Sequence, residues 1–150
     1  MRLSDYLDAA AVRLDLQSST KETVLDELVG LLDLDEESTQ QLRKLLKQRE
    51  LLGSTGVGRG IAIPHCRSLT QSNLRMAFGI HQQGVEYDSV DQRPAHVFFL
   101  IVAPQTETSS EYLPVLGTIA RLGQLPDVAD RLRALTTPTE LFLLLEEHGA

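Results

Sequence analysis

The chain has 150 residues, of which 42% are hydrophobic and 23% charged, and its formal net charge is −7. This length and composition are ordinary for one globular domain, which can bury a full core without disulfides. The negative charge argues against nucleic acid as the main partner, because such binding depends on Lys and Arg neutralising phosphates.

Membrane and export signals are missing from the sequence pattern. No apolar run approaches the roughly 18 residues of a membrane helix, and the opening Met1–Asp5 lacks the apolar stretch of a signal peptide. There is also no internal repeat, low-complexity tract or linker-like segment. We therefore expect one domain over residues 1–150 of a cytoplasmic protein, with no direct membrane insertion.

The first third of the chain is predicted to be mainly helical. Weak alternation over Ala11–Gln17 indicates a short edge strand. A capping-box pattern over Ser19–Glu22 precedes apolar residues at helical spacing, which predicts a helix to about Leu32. A second helix is predicted from about Glu36 to Leu51, and the following Gly53 ends it.

The second half is predicted to contain strands first and helices after them. The predicted strands are Leu74–His81, Val85–Tyr87 after a turn at Gln82–Gly84, and the near-continuous apolar run His96–Ala103. The predicted helices are Glu111 to about Leu122, Val128–Leu135 and Pro138 to about Glu147. The predicted fold class is α/β, a single domain with a mixed central β-sheet flanked by α-helices on both faces.

A glycine-rich stretch with a histidine at its end carries the chemistry of the chain. Residues 53–65 read Gly-Ser-Thr-Gly-Val-Gly-Arg-Gly-Ile-Ala-Ile-Pro-His, with a short strand predicted over Ile61–Ile63. The P-loop is excluded because no Lys follows a glycine at its spacing. The dinucleotide fingerprint fails on spacing and on context. The hydrolase elbow fails because Leu52 stands two residues before Ser54, where a glycine is required.

What remains is a nucleophilic histidine beside a possible phosphate cradle. Neutral imidazole is a good nucleophile near neutral pH, because its reference pKa is about 6.5. A phosphate on His65 needs donors, and Arg49 could supply a bidentate cation while Pro64 limits the histidine's movement. Loop N–H groups and hydroxyls could add more donors. The candidate phosphate-binding residues are Ser54, Thr55, Gly56, Gly58 and Gly60.

These residues together resemble a known signature. Arg49-Glu50, residues 53–56 and residues 58–65 closely resemble the active site of phosphotransferase-system IIA domains of the fructose/mannitol type, a family that includes the nitrogen-regulatory IIA proteins. The resemblance implies that His65 accepts a phosphoryl group from an HPr-like phosphocarrier protein. It also implies delivery to a IIB domain, or retention as a mark read by a regulatory target protein. Arg49 is then expected to hold the phosphate, and no cofactor is implied.

One position departs from the family pattern. A second active-site histidine usually opens a late helix in an H-L-x-x-L run, and Tyr112 stands at that position here. A tyrosine hydroxyl can donate a hydrogen bond, but it gains no positive charge at neutral pH. Tyr112 is therefore a candidate site residue beside His65 and Arg49.

Two other functions stay open on the sequence alone. Tyr112 favours a regulatory module that binds a kinase or transporter and is phosphorylated weakly or not at all. Cys66 beside His65 suggests a thiol-dependent or metal-dependent enzyme as an alternative function. Adjacent residues of an extended chain point to opposite faces, however, which argues against a joint site. His81 and His96 fall at strand ends and are interpreted as structural or exposed.

Overall fold

A mixed sheet of six strands forms the centre of the computed structural model, which describes residues 2–105 and 111–150. Its strands are β1 (Leu7–Arg13), β2 (Gly56–Gly58), β3 (Ile61–Ala62), β4 (His65–Ser68), β5 (Arg75–Val85) and β6 (Ala95–Pro104). The helices of the described residues are α1 (Lys21–Gly30), α2 (Glu36–Leu51), α3 (Tyr112–Gln124), α4 (Val128–Arg133) and α5 (Pro138–Glu147). None of these helices combines the length and the apolar character that a bilayer crossing requires.

Strand β6 organises the sheet, whose order is β1–β5–β6–β3–β2 with β4 also paired to β6. On one side β6 runs antiparallel to β5, and β5 runs parallel to β1. On the other side, β3 pairs with Val97 and Phe98, and β4 pairs further along with Ile101–Pro104, both in parallel. The interruption at Ile63 and Pro64 thus divides one extended stretch into two short strands along the same neighbour.

Burial along β6 shows that both faces of the sheet are covered. Val97–Ala103 are all at most 1% exposed, although alternate residues of a strand point to opposite faces. Phe78 of β5 packs edge-on against Phe99, with ring centroids 5.0 Å apart. The single-domain α/β prediction with helices on both faces is confirmed.

The first two helices are capped by their flanking polar residues. Thr20 caps α1, because its hydroxyl accepts the N–H of Thr23; the predicted capping box at Ser19 was wrong by one residue. Asp35 caps α2 by accepting the N–H of Ser38 at 2.8 Å. The predicted limits of α2 are confirmed.

Strand β1 lies at the sheet edge, as predicted, but covers Leu7–Arg13 instead of Ala11–Gln17. Its buried side chains are Leu7 and Ala11, and small alanines between them hide the alternation in the sequence. Leu16, outside the strand, still donates its N–H to Ile80.

The predicted turn at Gln82–Gly84 was wrong, because β5 continues through it to Val85. Ile80 of β5 pairs with Val97 of β6, and Val85 pairs with Ala95, so β5 contains more residues than β6 between these two pairs. Extra residues on one strand form a bulge, and Gly84 supplies the positive φ of 89° that such a feature favours. No return strand follows, since Tyr87 lies in the loop after β5.

The remaining elements agree with prediction to within two residues, the usual scatter of element ends. Strand β6 gains one residue at each end, α3 is shifted to Tyr112–Gln124, and α4 ends at Arg133 instead of Leu135. Helix α5 has its predicted limits, with Pro138 in its first turn and Thr137 as its cap.

Candidate active site

His65 opens β4, where the chain resumes its pairing with β6 opposite Ile101. The half-buried imidazole has Nδ1 only 2.7 Å from the carbonyl oxygen of Ile63. A carbonyl can only accept, so Nδ1 carries the proton and donates it to this bond, which leaves Nε2 as the basic nitrogen. The sequence predicted a histidine after the end of a strand; the structure instead fixes it at the start of the next one.

The surroundings of His65 favour its neutral form. Burial lowers the pKa of His65, and the nearby Arg49 charge lowers it further. The hydrogen bond to Ile63 and the carboxylate of Glu50 act in the opposite direction without cancelling the effect. At neutral pH the side chain is therefore a neutral imidazole, which is the form that can attack phosphorus.

Arg49 reaches the site from the last turn of α2. Its guanidinium donates Nη1–H to the carbonyl of Gly53, 2.9 Å away, just past the helix end. Helix α2 is itself held against β4, since the hydroxyl of Ser68 donates to Oε1 of Gln41 at 2.9 Å. The structure thus places Arg49, a predicted site residue, close enough to the predicted His65 for its charge to lower the pKa of the imidazole.

A buried carboxylate, which the sequence analysis included in the signature without giving it a role, holds the glycine-rich loop. Glu50 accepts the N–H of Thr55 at 3.1 Å and also the Thr55 hydroxyl. The Lys21 ammonium lies 3.0 Å from the same carboxylate, and the Tyr87 hydroxyl lies 3.2 Å from that of Thr55. An acidic residue at a helix C-terminus, where the dipole disfavours it, was the signal available in the sequence.

The first predicted phosphate donors are engaged inside the protein. Besides the Thr55 bonds to Glu50, the Ser54 hydroxyl donates to the Tyr87 carbonyl at 2.7 Å and accepts the Gly56 N–H at 3.0 Å. These bonds fix the loop to the end of α2 and to the segment after β5. Direct contact of these donors with a phosphate stays a prediction that requires rearrangement of the bonds.

Gly58 and Gly60, also predicted to bind the phosphate, lie elsewhere. The Gly60 carbonyl accepts the N–H groups of His96 and Val97, near the start of β6. His65 pairs four residues beyond Val97, a separation of about 13 Å at the usual rise per residue. The structure does not bring these two glycines to His65, because the chain between them runs along β6 as a strand.

Tyr112 does reach the site, at the first residue of α3. Its ring centroid is 6.0 Å from that of His65, and the two rings are tilted by 58°. Above the Tyr112 ring lies the guanidinium of Arg67, with Cζ 4.5 Å from the centroid. Arg67 was not predicted, yet it lies two residues after His65 and therefore on the same face of β4.

Cys66 lies between them on the opposite, buried face. Burial raises the pKa of its thiol to about 12, so the sulfur stays protonated at neutral pH. A protonated thiol is a poor nucleophile and a poor metal ligand. The thiol-enzyme alternative has no support at this site.

The geometry of the loop predicts that Gly56→Ala destabilises the fold. An added Cβ would lie 2.2 Å from Oγ and 2.9 Å from Cα of Ser89, so backbone must move. We expect a loss of about 1–3 kcal/mol in unfolding free energy, measured by urea denaturation. Gly30→Ala is the control: nothing lies within 4 Å of its added Cβ, so it should be neutral or stabilising. Equal effects of the two changes would contradict the steric argument.

Together, the fold and the site define a class of protein: an α/β domain that presents a neutral histidine near the charge of Arg49 and against the Tyr112 ring, which Arg67 covers, an arrangement suited to a transferable anion. The family model described as phosphoenolpyruvate-dependent sugar phosphotransferase system, EIIA 2, matches residues 5–148. The chain therefore belongs to this family of IIA domains, which confirms the resemblance seen in the sequence.

Known relatives include both regulatory and sugar-specific proteins. The chain is 34% identical over 148 residues to a nitrogen regulatory protein from Pseudomonas aeruginosa, covering 97% of this chain and 95% of that protein. It is 30% identical over 150 residues to the fructose-specific EIIABC component of Bacillus subtilis, covering 99% of this chain. It spans only 24% of that longer relative.

A solved structure agrees with the same family. The fold superposes on nitrogen regulatory protein IIA-Ntr from Neisseria meningitidis with a TM-score of 0.87 and 27% sequence identity. The match covers 95% of this chain and 98% of that chain, so the whole sheet-and-helix arrangement is shared.

Proposed function

We propose that this IIA domain accepts a phosphoryl group on Nε2 of His65 from the phosphohistidine of an HPr-like carrier protein. It then delivers the group to a IIB domain or keeps it as a regulatory mark. The observation that supports this most is the bond from Nδ1 of His65 to the Ile63 carbonyl, which orients Nε2 as the nucleophile. Membership of the EIIA 2 family supplies the reaction type.

The proposed step is an in-line displacement at phosphorus. Nε2 of His65 forms a bond to phosphorus while the N–P bond of the donor breaks, and the donor imidazole leaves with that electron pair. The Nδ1 proton stays on His65 and remains bonded to the Ile63 carbonyl. Arg49, and Arg67 across the Tyr112 ring, supply positive charge for the transferring oxygens, because such transfer depends mainly on positioning and electrostatics.

Exposed apolar residues beside the site support docking of a carrier protein. Isolated leucines on a surface are common, but here they follow the site residues directly in the chain. Leu51 and Leu52 come after Arg49, Leu69 comes after β4, and Leu113 comes after Tyr112, with exposures from 72% to 87%. Exposed apolar side chains next in the chain to the site residues offer apolar contact area to a transient protein partner.

Phosphorylation of His65 is the first test of this function. Incubation with Enzyme I, HPr and phosphoenolpyruvate should give an acid-labile, base-stable adduct of about 80 Da, the mass of one phosphoryl group. Intact-mass spectrometry measures it, and His65→Ala should abolish it. No adduct with cognate partners, or an unchanged adduct on His65→Ala, would overturn the proposal.

A second candidate function is a regulatory module with slow onward transfer. It is favoured by Tyr112, which occupies the first turn of α3 beside His65 and cannot take up positive charge. Pre-phosphorylated protein mixed with a IIB domain separates the two functions. Transfer within seconds supports the relay, whereas a mark that persists for many minutes supports regulation.

The pKa of His65 predicts how the site responds to acid. An NMR titration of the His65 ring should have its midpoint below the ordinary value of 6.5, because burial disfavours the imidazolium. Arg49→Gln should raise this midpoint, since the Arg49 charge contributes to lowering it. Phosphoryl acceptance should accordingly persist at pH 6.5 and decline only as Nε2 becomes protonated at lower pH. A midpoint above 6.5, or no change with Arg49→Gln, would contradict the proposed electrostatics.

A further inference from the structure

A second, basic cavity lies at the other end of β6 from His65. It has a volume of about 520 Å³, within the range of small-molecule pockets. Three arginines, Arg59, Arg93 and Arg133, line it, and Asp130 is the one carboxylate of the lining. This excess of positive charge stands out on a chain whose net charge is −7.

The three arginines come from separate parts of the chain. Arg59 belongs to the turn between β2 and β3, Arg93 to the loop before β6, and Arg133 to the last turn of α4. A solvated run of basic residues would be contiguous along the sequence. Their convergence on one concave surface is instead produced by the tertiary fold, as in a binding site.

The turn that carries Arg59 is held in a defined position. Arg59 has a positive φ of 58°, and its N–H donates to the Asp91 carboxylate at 3.0 Å. Its guanidinium donates to the carbonyl of Gln124 at the end of α3, which ties the turn to a helix. The N–H of Arg93 donates to the other oxygen of Asp91 at 3.1 Å, so the same carboxylate fixes two of the arginine backbones.

The other two guanidiniums are available to a ligand. Within residues 2–105 and 111–150, neither Arg93 nor Arg133 forms a side-chain hydrogen bond or an ion pair within 4.0 Å. The imidazole of His96 forms a wall, with Nδ1 donating to the His81 carbonyl at 3.0 Å and the ring packed against Gly60 and Gly84. Pocket walls that are fixed, with charged groups that are not yet paired, suit recognition of an anion.

We propose that this cavity binds a small phosphorylated molecule, with Arg93 and Arg133 contacting the phosphate and the fixed Arg59 turn forming a wall of the site. Guanidinium groups match the geometry of phosphate oxygens in a bidentate way. A concave pocket of this size accommodates a phosphate with a small attached group better than it does a protein surface. The site is separate from His65, so this inference does not depend on phosphorylation of that residue.

Titrations followed by amide NMR test the site, with glucose 6-phosphate, inorganic phosphate and glucose as probes at 0.15 M salt. Glucose 6-phosphate should shift the amides of His96 and Ala129 with a Kd of roughly 0.1–1 mM, and glucose should not. Arg93→Gln combined with Arg133→Gln should weaken binding by about tenfold or more. Arg121→Gln, an exposed arginine on α3, and His65→Ala should leave it unchanged.

The outcomes separate the sources of the phosphate. Equal affinity for inorganic phosphate identifies free phosphate as the ligand and upholds the site, whereas tighter binding of the sugar phosphate shows recognition of the attached group. The two glutamine substitutions are on exposed side chains, and an unchanged unfolding midpoint shows that the variant folds. No shifts at 10 mM probe, shifts confined to residues 49–55 and His65, or full binding by the double variant would each overturn the proposal.

Discussion

Glu50→Ala should destabilise the protein by about 3–5 kcal/mol, the cost of removing one partner from a buried charge pair. Glu50 is 9% exposed, and its carboxylate accepts two hydrogen bonds from Thr55 while facing the Lys21 ammonium. Without it, two buried donors and a partly buried cation lose their acceptor. Urea denaturation gives the change in the free energy of unfolding.

A matched change on the same helix separates this effect from loss of charge. Glu37 lies in the first turn of α2 and is exposed, so Glu37→Ala should change stability by only about 0.5 kcal/mol. Glu50→Gln should fall between the two, because the amide oxygen can still accept from Thr55. If Glu50→Ala cost no more than Glu37→Ala, the carboxylate would not be what anchors the loop.

Arg67→Gln should slow phosphoryl acceptance by about a hundredfold, the usual effect of removing one charged group that stabilises a transferring anion. The reason is that Arg67 shares a face of β4 with His65 and lies over Tyr112, which itself supplies no cation. Rapid mixing with phosphorylated HPr, followed by intact-mass spectrometry, measures the rate. Arg121→Gln on α3 is the control and should retain the parent rate.

A double-mutant cycle with Tyr112→His asks whether Arg67 replaces the charge of the missing histidine. If it does, the added imidazole should restore more activity in the Arg67→Gln background than it adds to the parent, which gives a measurable coupling energy. Purely additive effects would show that Arg67 only packs against the Tyr112 ring. Each variant should also be compared by urea denaturation, so that a folding defect is not read as a loss of transfer.

The candidate site shows which functional residues can be predicted from local sequence and which cannot. His65 and Arg49 could be proposed as site residues from positions 49–65, because the signature they belong to is contiguous in the chain and its spacing is recognisable locally. Tyr112 could be placed only through the resemblance to a family, since no local pattern relates it to His65. Arg67 was missed, although alternation along a strand would have put it on the same face as His65.

The predicted phosphate-binding residues illustrate the opposite case, in which the fold separates residues that are contiguous in one motif. Ser54, Thr55 and Gly56 were predicted to donate to the phosphate, but their donors are taken by Glu50, Tyr87 and one another. Gly58 and Gly60 are carried away from His65 by the parallel pairing of β3 and β4 along β6. No spacing rule in the sequence could separate these groups, because the separation depends on which neighbour each strand pairs with.

By itself the sequence predicted the helices, the central strand and the candidate histidine His65. Helical periodicity, capping residues and an apolar run are local, so α2, α5 and β6 could be read within a few residues of their limits. The tertiary structure alone decided the continuous β5, the burial of Glu50 against Thr55 and Lys21, and the gathering of Arg59, Arg93 and Arg133 around one cavity. Each of these depends on contacts between residues far apart in the chain, whose energies no local pattern encodes.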